Sequence, residues 1–162
     1  MRAFQIFASM SSEQNAALLE KIAESSPITF QSGVAAACEV LKVRPVYLKK
    51  QPFEKKASSV RRALSRVASN TMAEEFLAIY FLECRKDLLV EWLDTLGLEH
   101  EDGTLTDDEP DAPDPEPLAK TFRTFLAKDE DIDRPLLVKA FASQAAIEWP
   151  PLDALIESEL AE

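Results

Sequence analysis

The stretch TMAEEFLAIYFLECRKDLLVEWLDTLGL, residues 71–98, holds the densest run of large apolar side chains in the sequence. Residues 76–82 are all apolar or aromatic, and a second apolar cluster lies between residues 88 and 96. A helical segment that is hydrophobic all round must contact neighbours on several sides. We therefore expect residues 71–98 to form a helical hairpin at the centre of the core.

Capping signals divide this stretch into two limbs. Thr71 and Glu74 have the spacing of a capping box, which predicts the start of the first limb. The polar residues 84–86 mark the break, and Asp87 is a suitable cap for the second limb. Gly97 predicts its end, because glycine readily adopts the left-handed conformation that closes a helix.

The rest of the chain is also typical of helices. Only three of 162 residues are glycine, and no β-branched run indicates a strand. Apolar periodicity and proline positions predict further helices over residues 11–24, 32–42, 46–51 and 53–69, and three more that begin near residues 115, 135 and 150. We predict an all-α fold of about eight helices with no sheet.

A weak internal repeat leaves two architectures open. Phe81-Leu82 precedes Leu88-Leu89-Val90, and Phe125-Leu126 precedes Leu136-Leu137-Val138. Offsets of 44 and 48 residues are near the length of two-helix solenoid repeats of the HEAT type. The fold is therefore expected to be either a multi-helix bundle or a short stack of HEAT-like helical hairpins.

Residues 99–117, which we call the acidic segment, differ in kind. They include nine acidic residues and four prolines, and almost no apolar side chains. Such a composition buries little surface to offset the entropy lost on ordering. We expect an exposed loop or linker here. It would separate an N-terminal helical part, 1–98, from a C-terminal three-helix part, 118–162, within a single globular unit.

Several function classes find little support in the sequence. The longest apolar run has seven residues, too short to span a membrane, and no signal peptide is evident. Two distant cysteines and a single histidine, His100, favour a reduced cytoplasmic protein without a zinc site. A calcium-loop alignment on Gly103 fails because Leu98 and His100 would have to be ligands. We predict no cofactor or metal and no catalytic residues, although a carboxylate-based enzyme stays a third possibility.

Residues 42–66, the basic segment, are the main anomaly. They hold nine of the 18 basic residues and a single acid, while the whole chain has a net charge of −11. On an amphipathic helix over 53–69, Lys55, Arg62 and Arg66 lie opposite the apolar face, with Lys56 and Arg61 at its flanks. The candidate binding surface, the basic surface, consists of six cations: Lys49, Lys50, Lys55, Lys56, Arg62 and Arg66.

Three interpretations of the basic surface stay open. In the first, it is an ordinary solvated helix face; in the second, it contacts a protein partner. In the third, its cations follow the phosphates of a nucleic acid while Tyr47 and Phe53 stack against the bases. The leading hypothesis is a non-catalytic helical protein-interaction module with an unknown protein partner and no membrane contact. The alternative is nucleic-acid binding through residues 42–66, with the acidic segment masking the surface.

Overall fold

The computed structural model describes residues 1–161, and most of them lie in helices. Ten α-helices occur within that range: α1 Ala3–Ser9, α2 Ser12–Ser25, α3 Pro27–Leu41, α4 Pro45–Lys49, α5 Phe53–Leu64, α6 Asn70–Ile79, α7 Lys86–Leu96, α8 Pro115–Ala127, α9 Asp133–Ala142 and α10 Pro150–Glu159. A 3₁₀ turn, Val67–Ser69, precedes α6, and a π-helical turn, Tyr80–Cys84, follows it. The all-α class is confirmed.

The predicted absence of a sheet is slightly wrong. Strands β1, His100–Glu101, and β2, Thr104–Leu105, pair antiparallel with His100 opposite Leu105. The turn between them is Asp102-Gly103, and both residues have a positive φ, as a tight two-residue hairpin turn requires. The expectation of about eight helices also falls short, since α1 is only seven residues long and its local pattern does not predict a helix.

Local capping rules succeed where one residue decides the helix end. Ser11 accepts a hydrogen bond from the Gln14 amide at 3.1 Å and caps α2. Gly97 ends α7 with φ of 72°. The N-terminal caps predicted for the two limbs of residues 71–98 are wrong, because α6 begins at Asn70 and α7 begins at Lys86, so that Asp87 lies inside the first turn.

The chain forms two compact units that meet in sequence at Arg85. Residues Arg2–Cys84 form the N-terminal unit, and the chain from Arg85 onward forms the C-terminal unit. The division falls inside residues 71–98. The two limbs predicted to form one central hairpin therefore contribute to two different cores, and the acidic segment belongs wholly to the C-terminal unit.

Close helix packing builds the core of the N-terminal unit. The rings of Phe30 in α3 and Phe53 in α5 stack at 5.2 Å, and α3 contacts α5 along much of its length. A Cβ added to Gly33 would lie 2.6 Å from Cζ of Phe76 and 3.2 Å from a methyl of Val60. The missing side chain of Gly33 thus allows α3 to approach both neighbours.

An aromatic chain fills the core of the C-terminal unit. Trp92 of α7 is fully buried, with ring centroids 4.9 Å from Phe125 and 5.9 Å from Phe141. Phe141 in turn meets Trp149 edge-on at 5.3 Å. These contacts join α7, α8, α9 and the start of α10 into one core.

Candidate basic interaction surface

The basic segment forms α4, α5 and their connections in the N-terminal unit. Pro45 lies in the first turn of α4 and Pro52 immediately precedes α5, positions where a missing amide hydrogen is tolerated. Leu48, which is 2% exposed, anchors α4. The buried stripe of α5 consists of Ala57, Val60, Ala63 and Leu64.

Lys55 and Arg62 lie on α5 where the helical pattern predicts, whereas Arg66 lies beyond the end of α5, because the helix stops at Leu64 and not near residue 69. Lys49, Lys50, Lys55, Arg62 and Arg66 are exposed, and Lys56 at the flank is half-buried. Lys55 and Arg62 are seven residues apart, two helical turns along the same outer face of α5. The stems of these side chains leave their charged ends in water, which is consistent with a solvated or a binding surface.

Arg61 has a different role from its basic neighbours. Its guanidinium donates hydrogen bonds to the Ser12 hydroxyl at 2.7 Å and to the Met10 carbonyl. These bonds fasten α5 to the connection between α1 and α2. Arg61 therefore holds the fold of the N-terminal unit, and the six residues of the basic surface do not include it.

The two units differ in net charge and in how many of their basic side chains form ion pairs. Residues 2–84 contain eleven basic and eight acidic residues, a net charge of +3, whereas residues 85–162 contain seven basic and 21 acidic residues, a net charge of −14. Among the described residues, no basic side chain of the N-terminal unit forms an ion pair with an acid of its own unit. In the C-terminal unit, by contrast, five of the seven basic residues form ion pairs with acids of that unit.

Arg85 forms ion pairs with three carboxylates of the C-terminal unit. Its guanidinium lies 2.8 Å from Asp131, 2.6 Å from Asp133 and 3.3 Å from Asp87. These hydrogen bonds, the one to Asp131 above all, raise the pKa of Arg85. In return, Arg85 lowers the pKa of Asp131 and of Asp87. The loop before α9 is thereby tied to the start of α7.

Arg134 forms a second, more buried network. Its side chain is 4% exposed, contacts Asp129 at 2.7 Å and Glu91 at 3.3 Å, and stacks over the Phe125 ring at 4.7 Å. The hydrogen bond from Arg134 lowers the pKa of Asp129 to about 2. Burial acts to raise the pKa of Glu91, but hydrogen bonds from Lys128 and Arg134 lower it overall.

The two aromatic residues proposed for base stacking have different surroundings. Tyr47 is 59% exposed on α4, between Arg44 and the two lysines that end the helix. Phe53 instead stacks against Phe30, and this ring face is occupied by the core of the N-terminal unit. The exposed phenol of Tyr47 is thus the aromatic group that the basic segment offers to a partner.

The acidic segment is anchored, which its composition does not predict. His100 Nε2 lies 2.7 Å from an Asp94 oxygen, and His100 Nδ1 accepts a hydrogen bond from the Gly103 amide at 3.1 Å. Further along, the buried indole of Trp149 donates to the Pro110 carbonyl at 2.9 Å. Two local contacts and one long-range contact thus hold the backbone in place, while these acidic side chains remain exposed: Asp107, Asp108, Glu109, Asp111, Asp114 and Glu116.

No metal-binding cluster is evident in the described part of the chain. Across residues 1–161, no cluster of three or more histidines, cysteines and carboxylates has the arrangement to hold a metal ion. An open cleft of about 430 Å³ in the C-terminal unit is lined by α7 and α8. Its single carboxylate, Glu91, is already paired with Lys128 and Arg134.

Comparisons add no functional assignment. No protein-family model, curated protein or solved structure matches the chain. Of the helices within residues 1–161, none combines the length and the apolar character that crossing a membrane demands.

Proposed function

We propose that this protein is a non-catalytic helical interaction module that binds an acidic protein partner through its basic surface. The observation that carries the proposal is the contrast in ion pairing between the two units. The C-terminal unit pairs most of its cations internally, but the N-terminal unit leaves its cluster of cations without acidic partners of its own. Cations without acidic partners in their own unit leave their charges available to the carboxylates of a binding partner.

Charge complementarity gives such a surface a defined binding behaviour. Cations at an interface steer an acidic partner and speed its association, and salt weakens that attraction because the Debye length is about 8 Å at physiological ionic strength. The side chains of Lys55 and Arg62 on the outer face of α5 need no rearrangement of the core to bind carboxylates. The proposal therefore predicts fast, salt-sensitive association with acidic polypeptides.

Charge reversal with a matched control tests this proposal. The variant K55E/R62E changes two cations of the basic surface, and K21E/K120E changes two exposed cations elsewhere, so both variants have the same net charge. With a fluorescein-labelled 12-residue Asp/Glu peptide at 50 mM salt, anisotropy should show at least tenfold weaker binding for K55E/R62E and less than a twofold change for K21E/K120E. An equal loss in both variants, or no binding by the unaltered chain, would contradict the proposal.

Nucleic-acid binding is the second candidate function, and the exposure of Tyr47 beside Lys49 and Lys50 favours it. An exposed aromatic ring among cations is the combination that binds single strands, by stacking under a base and neutralising phosphates. The net charge of −11 opposes this function at long range. Binding of a labelled 20-nucleotide single strand, with affinity that falls steeply between 50 and 200 mM salt, would establish it; absence of binding at 50 mM salt excludes it.

We also propose that the acidic segment regulates the basic surface as an internal competitor. The support is the opposite charge of the two segments, nine acids in one and nine cations in the other. The triple variant D107N/D108N/E109Q removes three exposed charges and keeps the anchoring bonds of His100 and Trp149. It should raise affinity for the acidic peptide at low salt, and unchanged affinity would eliminate this form of regulation.

We further propose a cellular location and a helical architecture. The unpaired thiols of Cys38 and Cys84 support a reducing, cytoplasmic location. The α8–α9 hairpin and its contacts with α10 support a short stack of HEAT-like hairpins in the C-terminal unit.

A further inference from the structure

Helix α4 presents its apolar residues to solvent in an unusual way. It has five residues, of which three consecutive ones are large and apolar or aromatic. Leu48 is buried, but Val46 is 67% exposed and Tyr47 is 59% exposed. A helix this short depends on packing for its stability, yet it directs two of its three large side chains away from the core.

The N-terminal unit leaves more than half of each of these two side chains exposed. In the described residues of that unit, the Tyr47 phenol has no hydrogen-bond partner and its ring pairs with no other aromatic ring. Single exposed apolar residues are ordinary on protein surfaces. Two adjacent ones, flanked by the exposed cations Arg44, Lys49 and Lys50, have the composition of a small interface: an apolar centre within a charged rim.

The apolar side chains of Val46 and Tyr47, together with the cations around them, indicate which class of partner would bind here. Phosphate and sugar gain nothing from the aliphatic side chain of Val46, whereas an apolar side chain of a polypeptide packs against it. Tyrosine is among the residues that contribute most to protein interfaces, because it buries a large rigid surface at low entropic cost. The surrounding positive charge requires that the same polypeptide be acidic.

We propose that α4 is the docking point for an acidic polypeptide segment that carries a large apolar side chain. That side chain packs against Val46 and Tyr47, while neighbouring carboxylates contact Lys49 and Lys50. This inference rests on the proposed function and adds the apolar requirement to it. Burial of a Leu-sized group against a partly open patch should tighten binding about tenfold over a purely charged peptide.

Two labelled 12-residue peptides of equal charge separate the charged contribution from the apolar one. Both consist of Asp and Glu, and they differ only in a central Leu or Ser. The unaltered chain should bind the Leu peptide about tenfold more tightly, and this ratio should persist from 50 to 300 mM salt, since burial of apolar surface does not depend on ion screening. The variant V46S/Y47S should bind both peptides with the affinity of the Ser peptide.

The variant V67S provides a matched control, because Val67 is 59% exposed and lies outside α4. It should keep the tenfold ratio, and far-UV circular dichroism should show the same helix content for all variants. Equal affinities for the Leu and Ser peptides, or the same loss in V67S, overturn this inference and leave the charge-based function standing. Failure of both peptides to bind overturns the proposed function as well. Binding of the 20-nucleotide strand but not of the Leu peptide favours the nucleic-acid function and overturns the inference.

Discussion

The buried Arg134 offers the sharpest test of how the C-terminal unit is held together. Replacing it with Met keeps a long apolar stem and removes the guanidinium. The substitution breaks the two hydrogen bonds to Asp129, at 2.7 and 2.9 Å, and the longer contact with Glu91 at 3.3 Å. It also removes the positive charge over the Phe125 ring.

The size of the effect follows from the exposure of each partner. Hydrogen bonds to charged groups contribute about 1.5–3 kcal/mol, and a partly desolvated cation over an aromatic ring adds about 1–2 kcal/mol. Asp129 has a half-exposed side chain and regains water when Arg134 is lost, which reduces the cost. We expect R134M to lower the free energy of unfolding by about 2–4 kcal/mol, below the upper range for a fully buried pair.

Tryptophan fluorescence during urea unfolding measures this change selectively. Both tryptophans, Trp92 and Trp149, belong to the C-terminal unit, so their emission reports on that unit. R123M is the matched control, because Arg123 is 62% exposed and pairs with Glu159 on the surface, where water and salt screen an ion pair and its contribution to stability is small. If R134M and R123M unfold at the same urea concentration, the buried network does not hold the unit together.

Three further predictions concern the packing and charges of each unit. In G33A, the new methyl would lie 2.6 Å from the Phe76 ring, so we expect a loss of about 1–3 kcal/mol in urea unfolding followed by circular dichroism; an unchanged midpoint would show that α3 has room to move. R61A should lower the free energy of unfolding by about 1–3 kcal/mol, because it leaves the Met10 carbonyl without its hydrogen-bond donor. The substitution R62A at the exposed neighbour should change the free energy of unfolding by no more than about 0.5 kcal/mol. Equal effects of R61A and R62A in urea unfolding would contradict the different roles of the two arginines. Folding lowers the pKa values of four carboxyl groups: Asp87, Glu91, Asp129 and Asp131. Their contribution to the stability of the folded state is therefore complete above their ordinary pKa values of 3.8 to 4.5 and is lost as the pH falls towards about 2. Stability measured by tryptophan fluorescence that stays constant over this pH range would be inconsistent with these ion pairs.

Features decided by neighbouring residues could be predicted from the sequence. The Ser11 cap, the proline that starts α4 and the glycine that ends α7 each act through one residue and its adjacent backbone. The outer face of α5 was also predictable, because twelve residues suffice to show an amphipathic period. The positions and exposure of Lys55 and Arg62 follow directly from that period.

Features decided by contacts distant in sequence could not be predicted. Composition indicates a linker at residues 99–117, but the bond from Trp149 to the Pro110 carbonyl spans 39 residues and anchors the segment. The strong apolar character of residues 71–98 indicates burial without showing that Arg85 begins a second unit. The exposure of Val46 could not be predicted either, because α4 is shorter than two helical turns and shows no period that separates its buried side from its exposed side.

Lysine footprinting tests the central claim most directly, since it locates the binding surface without altering the chain. The protein is acetylated briefly with and without a saturating 12-residue Asp/Glu peptide carrying a central Leu, and the modification of each lysine is quantified by mass spectrometry. We predict that bound peptide protects Lys49, Lys50 and Lys55 at least threefold while Lys21 and Lys120 react at unchanged rates. Uniform reactivity of all five lysines, or protection of Lys21 and Lys120 instead, would contradict the assignment of the basic surface as the binding site.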